Sequence, residues 1–200
     1  MSWLRSLPLT SSTAIAIIVT FLLFTSISAY AYPKNWNPTI TFLSDFGNMA
    51  INPIGSQYYN FGCIITGILI IPFYIGLKEW WSGDKWRYVL LFAQLLGVFS
   101  GISLILIGIY PEDFPIEHRF WSYAFFIINF FAMLLVNTSL IASESFSKRV
   151  AVFSFFLITL MLISFYFWGG VPIVEWFAVG SSMIFALLLA IETKWLTEQK

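Results

Sequence analysis

The residues able to do chemistry are few in this chain, and they gather in three places. One run reads Tyr110, Pro111, Glu112, Asp113, Phe114, Pro115, Ile116, Glu117, His118, Arg119 and holds the only histidine. A second stretch, 33–56, is the longest connection between apolar runs and carries Ser44, Asp45, Asn48 and Asn52. Glu175 opens the last apolar run. Carboxylates with one imidazole can ligate a divalent cation, and a bound cation can activate water for hydrolysis. The same groups can receive a polar headgroup, or can simply be solvated loop residues. One histidine cannot build the multi-histidine cage of a zinc hydrolase, and no His-x-x-x-His or Glu-x-x-His pair occurs. No catalytic set, metal site or cofactor is therefore assigned. The candidate ligand-binding residues are Ser44, Asp45, Asn60, Glu112, Asp113, His118 and Glu175.

His118 also heads a stripe. Ser122 and Asn129 follow it at steps of four and seven, which share one helical face. Polar groups inside a membrane bundle point inward and are costly to leave unpaired. The stripe is expected to meet Gln57 and Asn60, or Gln94 deeper down. It can serve as a structural hydrogen-bond network, a ligand pocket or a proton path.

Several chemistries lack their motifs. There is no Gly-rich phosphate loop, nucleophile elbow or Walker pattern. A single histidine excludes bis-histidine haem ligation. The lone Cys63 excludes an internal disulfide and reads as a small apolar helix residue. Apolar runs one, three, five and six have no acid or base at their centres, which argues against an ion-coupled carrier.

The elements that must position these residues follow from composition. The 200 residues are 59% hydrophobic and 10% charged. Soluble domains run near 45–50% and about 25%. Too little polar surface exists to cover a water-facing globule, so lipid must cover it. The formal net charge of zero argues against nucleic-acid binding. Six stretches approach the roughly 20 apolar residues a span needs: 12–32, 57–77, 88–110, 120–142, 150–168 and 174–191. The last two are joined by a connection short enough for a tight helical hairpin. Arg5, the apolar run 14–27, Ala29 and Ala31 mimic a secretory signal, but the segment is read as a retained first helix. The expected fold is all-α: a polytopic integral membrane six-helix bundle forming one transmembrane domain, 1–200.

Orientation follows from charge. Arg5, Lys78, Lys85, Arg87, Lys148, Arg149, Lys194 and Lys200 fall on one side, and only Lys34 and Arg119 on the other. The positive-inside rule then places both termini in the cytoplasm and the acidic loops outside. Close packing is expected at Gly97 and Gly101, at Gly62 and Thr66, and along Ala178, Ser182, Ala186 and Ala190. Trp80, Trp81 and Trp86 are expected at the inner membrane boundary, and Trp36, Trp121, Trp168 and Trp176 at the outer one. Asn137 begins an Asn-x-Ser pattern within a span, so it is not read as a glycan acceptor. The inner half, around 69–75 and 131–136, is expected to be dry and sealed.

The run 37–48 with Ser44, Asp45 and Gly47, the pair Asn52 and Pro53, and Tyr59 to Gly62 precede or enter the second helix. Gly108, Pro111, Glu112 and His118 follow the third. Together these resemble the prokaryotic membrane proteins grouped as domain-of-unknown-function family 998, over about residues 12–140. That family in turn resembles the eukaryotic Frag1/DRAM/Sfk1 group. The resemblance implies a six-helix fold and a shared outer-face site of Ser44, Asp45, Gly47, Asn60, Glu112 and His118. Members of the eukaryotic group are associated with lipid remodelling and with scaffolding of lipid enzymes at membranes, and the prokaryotic family implies no established activity.

The expected function is that of a non-catalytic integral membrane protein binding lipid or a partner membrane protein, as scaffold or accessory subunit. Its expected place is the plasma membrane of a prokaryote, with membrane lipids, another membrane protein or a second copy as partners and no nucleic acid. The rivals are an outer-leaflet enzyme acting on lipid headgroups and a small-solute carrier or channel.

Overall fold

A computed structural model describes residues 7–81 and 85–199. Arg5 and Lys200, two of the basic residues used above for orientation, lie outside the described residues. Without water to satisfy backbone N–H and C=O groups, an apolar chain closes those bonds within helices. The described residues form six long helices: α1 (Leu9–Tyr30), α2 (Ser56–Gly76), α3 (Trp86–Ile109), α4 (Pro115–Leu140), α5 (Lys148–Trp168) and α6 (Pro172–Glu198). All six are long and apolar enough to cross a membrane, α2 together with the short 3-10 turn Leu77–Trp80 that continues it.

Proline sets several of the starts. Pro115 and Pro172 occupy the first turns of α4 and α6, where a missing N–H costs nothing. Helix α4 therefore begins five residues before the predicted 120, and α6 continues to Glu198 rather than 191. Ser147 caps α5 by accepting the Val150 N–H at 3.4 Å. Only residues 169–171 separate α5 from α6, the expected tight hairpin.

Each helix packs antiparallel on the next, and α6 returns to α1, so the six close into a ring. Packing is dense along α1, α2, α3 and α4 and sparse between α4 and α6. The dense seams are glycine seams. A Cβ built on Gly67 would lie 2.6 Å from the Gly101 carbonyl oxygen, and one on Gly97 would lie 2.1 Å from the Tyr74 ring. Gly62 sits as tightly against Phe24 of α1. The α6 ladder works differently. Ala190 meets α1, where its carbonyl accepts the Ser11 hydroxyl at 2.7 Å, while Ser182 and Ala186 border a cavity.

The end of the ring that carries both termini is closed. Trp80 donates its indole N–H to Thr193 Oγ1 at 2.9 Å and meets Phe146 edge-to-face. Above them Leu77, Leu90, Val136, Leu140 and Leu189 are fully buried. Trp80 is thus a packed core residue rather than a membrane-boundary ring. Asn137 is also core: it donates to the Ala151 carbonyl at 2.9 Å.

Candidate functional site

The opposite end of the ring, here the acidic end, is covered by the 33–56 connection. Its centre is a 3-10 turn, Ser44–Gly47, that drops Phe46 into the bundle with no exposed surface. Tyr32, Trp36, Tyr59 and Trp176 all meet the Phe46 ring. Trp36 and Trp176 stack on each other with ring centroids 5.7 Å apart. The Trp176 indole N–H donates to the Thr41 carbonyl at 2.8 Å. These two tryptophans pin the connection to α6, a role more specific than a membrane belt.

Polar side chains fix the same connection from below. Asn52 donates to the Ser28 hydroxyl at 2.9 Å and to the Phe46 carbonyl at 3.0 Å, while accepting the Gly55 N–H at 3.1 Å. Asn60 donates to the Gly47 carbonyl at 2.9 Å. Asp113 accepts the backbone N–H groups of Met49 and Ala50 at 2.9 and 3.3 Å. Asn60 and Asp113, both predicted ligand residues, are thus engaged in holding the turn.

Of the other five predicted residues, Ser44, Glu112, His118 and Glu175 border a mouth, and Asp45 stands beside Glu112. Glu175 Oε2 accepts the Leu43 N–H at 2.8 Å and lies 3.5 Å from Ser44 N and Ser44 Oγ. Its Oε1 has no donor among the described residues. Glu112 accepts from the Asn48 amide at 3.2 Å and stands within hydrogen-bonding reach of Asp45. Asp45 accepts the Phe42 N–H at 2.8 Å. Burial first, and then the neighbouring Glu112 charge, push the Asp45 carboxyl up to about 6. Burial and the same two carboxylates push the Tyr32 phenol up as well. No group of three or more His, Cys, Asp and Glu side chains is close enough to hold a metal ion among the described residues.

His118 is 9% exposed, and its Nδ1 lies 2.9 Å from the Tyr110 carbonyl oxygen. A carbonyl only accepts, so Nδ1 carries the proton. In the neutral ring Nε2 is then left as an acceptor. Nε2 has no partner among the described residues.

Beneath the mouth the ring is hollow. The mouth encloses about 400 Å³ and is bordered by Asn48, Glu112, Arg119, Tyr123, Phe165 and Gly169. A narrower shaft of about 80 Å³ continues inward past Phe21, Tyr59, Thr66, Phe125 and Ile107. Ser44, His118, Ser122, Phe126 and Glu175 line both, so the two adjoin. The shaft ends against Phe73, Tyr74, Met133 and Ala186. It therefore runs along most of 69–75 and to the middle of 131–136, the segments expected to be sealed, and solid packing begins one turn later, at Val136 and Leu77.

The stripe His118, Ser122, Asn129 faces this space as a unit. Its partners differ from those expected. Asn129 accepts the Tyr74 hydroxyl at 3.3 Å and donates to Ser182 Oγ at 2.9 Å. Gln57 is exposed, and Gln94 donates to the Tyr74 carbonyl at 2.8 Å on the far side of α2. Arg119, Thr66, Tyr74 and Ser182 went unrecognised as lining residues. A signal existed for one of them: Glu175 and Ser182 stand seven apart on α6, repeating the Ser122 to Asn129 step on α4.

A family model described as "protein of unknown function (DUF998)" matches residues 15–192. The chain belongs to the DUF998 family. The match runs through all six helices, beyond the 12–140 over which the sequence motifs carry the likeness. No curated protein and no solved structure matches this DUF998 chain.

Proposed function

We propose that this DUF998 protein is a non-catalytic membrane protein that holds a lipid, its headgroup at the acidic mouth and a chain in the shaft. One observation carries the reading: a polar mouth adjoins an apolar shaft, the two sharing Ser44, His118, Ser122, Phe126 and Glu175 as lining. A small-solute carrier would need the polar lining to continue to the other end, whereas the shaft stops at Tyr74 and Met133. The helical rise supports the length. Asn60 lies level with Gly108, whose built Cβ would touch its carbonyl oxygen at 2.5 Å. Tyr110 and its bonded partner His118 stand about 3 Å above that level, and Phe73 about 20 Å below it. A single extended hydrocarbon chain suits such a depth and width.

Access is lateral in this reading. α4 and α6 barely touch, so α5 alone closes that side of the shaft, through Phe165 against Phe126. Lipid can pass between α4 and α5 without crossing the ring. Among the described residues, six basic ones, Lys78, Lys85, Arg87, Lys148, Arg149 and Lys194, lie at the terminal end, and only Lys34 and Arg119 at the acidic end. That asymmetry supports placing the mouth in the outer leaflet of a prokaryotic plasma membrane.

The test is lipid mass spectrometry on protein purified in mild detergent, beside native mass measurement of the intact complex. The expected result is about one lipid per chain, reduced to background in Ala186→Phe, which fills the shaft. Lipid-free protein, or equal lipid in both forms, refutes the reading. A stoichiometric partner protein without lipid would replace it with the scaffold alternative.

A further inference from the structure

Resting on that reading, we infer that the lipid held here carries an amine headgroup, its ammonium seated among Glu175, Glu112 and His118 and its linker carbonyl met by Thr66.

The mouth offers mainly acceptors. Glu175 Oε1 and His118 Nε2 are both unpartnered among the described residues and both border the space. Ser44 and the Leu43 N–H already donate to Glu175 and the Asn48 amide to Glu112, which leaves the Ser122 and Tyr123 hydroxyls and the Arg119 guanidinium as the further donors bordering the mouth. Asp45, Glu112, Asp113 and Glu175 make no ion pair among the described residues, where the ion pair present is Lys194 with Glu198. A ligand that brings donors and positive charge satisfies this mouth. A primary ammonium has three donors and one charge. Arg119 is exposed at the rim of the same mouth, placed for a phosphate next to that ammonium.

A second observation lies deeper and is independent of the acids. Thr66 is 3% exposed, and its hydroxyl has no hydrogen-bond partner among the described residues, although it borders the shaft. A buried hydroxyl without a partner is uncommon in folded proteins and calls for a missing one. Thr66 stands six residues below Asn60, so it lies about 12 Å beneath the His118 tier. A lipid whose ammonium sits at His118 brings its ester or amide carbonyls down towards this level. The Thr66 hydroxyl can donate to such a carbonyl.

The probes are phosphatidylethanolamine and phosphatidylglycerol with identical oleoyl chains, titrated against delipidated full-length protein in detergent by native mass spectrometry. Phosphatidylethanolamine should bind at least about tenfold more tightly, the worth of one charge-assisted contact. Glu175→Gln, which keeps an acceptor for Leu43, should lower the preference to about threefold or less while phosphatidylglycerol binding holds. Glu112→Gln should act in the same direction and guards against a Glu175 variant that fails to fold. Binding of both lipids without discrimination, or preference for phosphatidylglycerol, overturns the amine inference and leaves lipid binding standing. Binding of neither removes both. Displacement of the lipid by sodium or by free ethanolamine at equal concentration would show a cation site without lipid selectivity, and also overturns the inference.

Discussion

Thr66→Val makes an unusual demand: the variant should be more stable and bind lipid less well. Valine replaces the hydroxyl by a methyl group of nearly the same shape. That hydroxyl has no partner among the described residues and sits at 3% exposure, so its removal breaks no contact within the protein. An unsatisfied buried polar group costs roughly 1–3 kcal/mol. Polar contacts inside membrane bundles average only about 0.6 kcal/mol, because the unfolded chain in lipid also finds partners. The gain should therefore be near 1 kcal/mol, or a rise of about 2–4 °C in the melting temperature of a chain of this length. With lipid added, the order reverses. The wild-type hydroxyl then has its carbonyl, and its loss should weaken binding about three- to tenfold, the worth of a neutral hydrogen bond. Thermal unfolding of delipidated protein in detergent, followed by circular dichroism, reads the first effect. The same melt across a lipid titration reads the second. A destabilised lipid-free variant would show that the hydroxyl already has a partner there, such as a bound water. Unchanged lipid affinity would remove Thr66 from the site.

Other perturbations test other parts of the structure. Asp45 titrates near 6 in the fold against 3.8 when free, so its contribution to stability is complete below pH 3.8 and is lost as pH rises through 6. Full burial would make that about 3 kcal/mol; Asp45 is half-buried, and solvent screening brings it to about 1 kcal/mol. Asp45→Asn should shrink the difference between melts at pH 4 and pH 7 by about 1 kcal/mol. Gly67→Ala places a methyl 2.6 Å from the Gly101 carbonyl and 2.9 Å from the Ile105 N, so α2 and α3 must separate. A loss of about 2 kcal/mol in detergent unfolding is expected, and a neutral result would mean the seam is looser than described. Phe46→Ala empties the aromatic cluster under the 33–56 connection and should cost about 3–5 kcal/mol. Limited proteolysis should then cut that connection first.

How much of this was legible beforehand depends on what each residue had to do. The six helices were readable because lipid allows a chain this apolar little else, and only their ends moved. Proline fixed those ends, at Pro115 and Pro172, where hydropathy alone starts the helix later. The His118, Ser122, Asn129 stripe was legible as a face because helical spacing is a local property. Its partners were not, because which helix stands opposite α4 depends on ring closure, and no single segment encodes that. Asp113 and Asn60 show the same limit from the other side. Their types suggested ligand contacts, but the backbone N–H groups of Met49 and Ala50 and the carbonyl of Gly47 already occupy them. Asn48 and Arg119 border the mouth without having been chosen as ligand residues.

Small residues illustrate the point most sharply, since one residue class serves two opposite purposes in this ring. Gly67, Gly97 and Gly101 bring α2 and α3 into backbone contact, which leaves no room for a ligand between them. Ser182 and Ala186 on α6 are also small, yet they border the shaft. The difference lies in what stands across from them. Opposite the glycines is another helix backbone or the Tyr74 ring, whereas the α4 backbone stands off from α6 and reaches Ser182 only through the Asn129 side chain. A ring that is tight from α1 to α4 and loose from α4 to α6 keeps its shape on one side and opens on the other. Small residues on the tight side therefore set stability, and the same residues on the loose side set volume. Enlarging Ala186 should cost the protein its ligand, whereas enlarging Gly67 should cost it its fold.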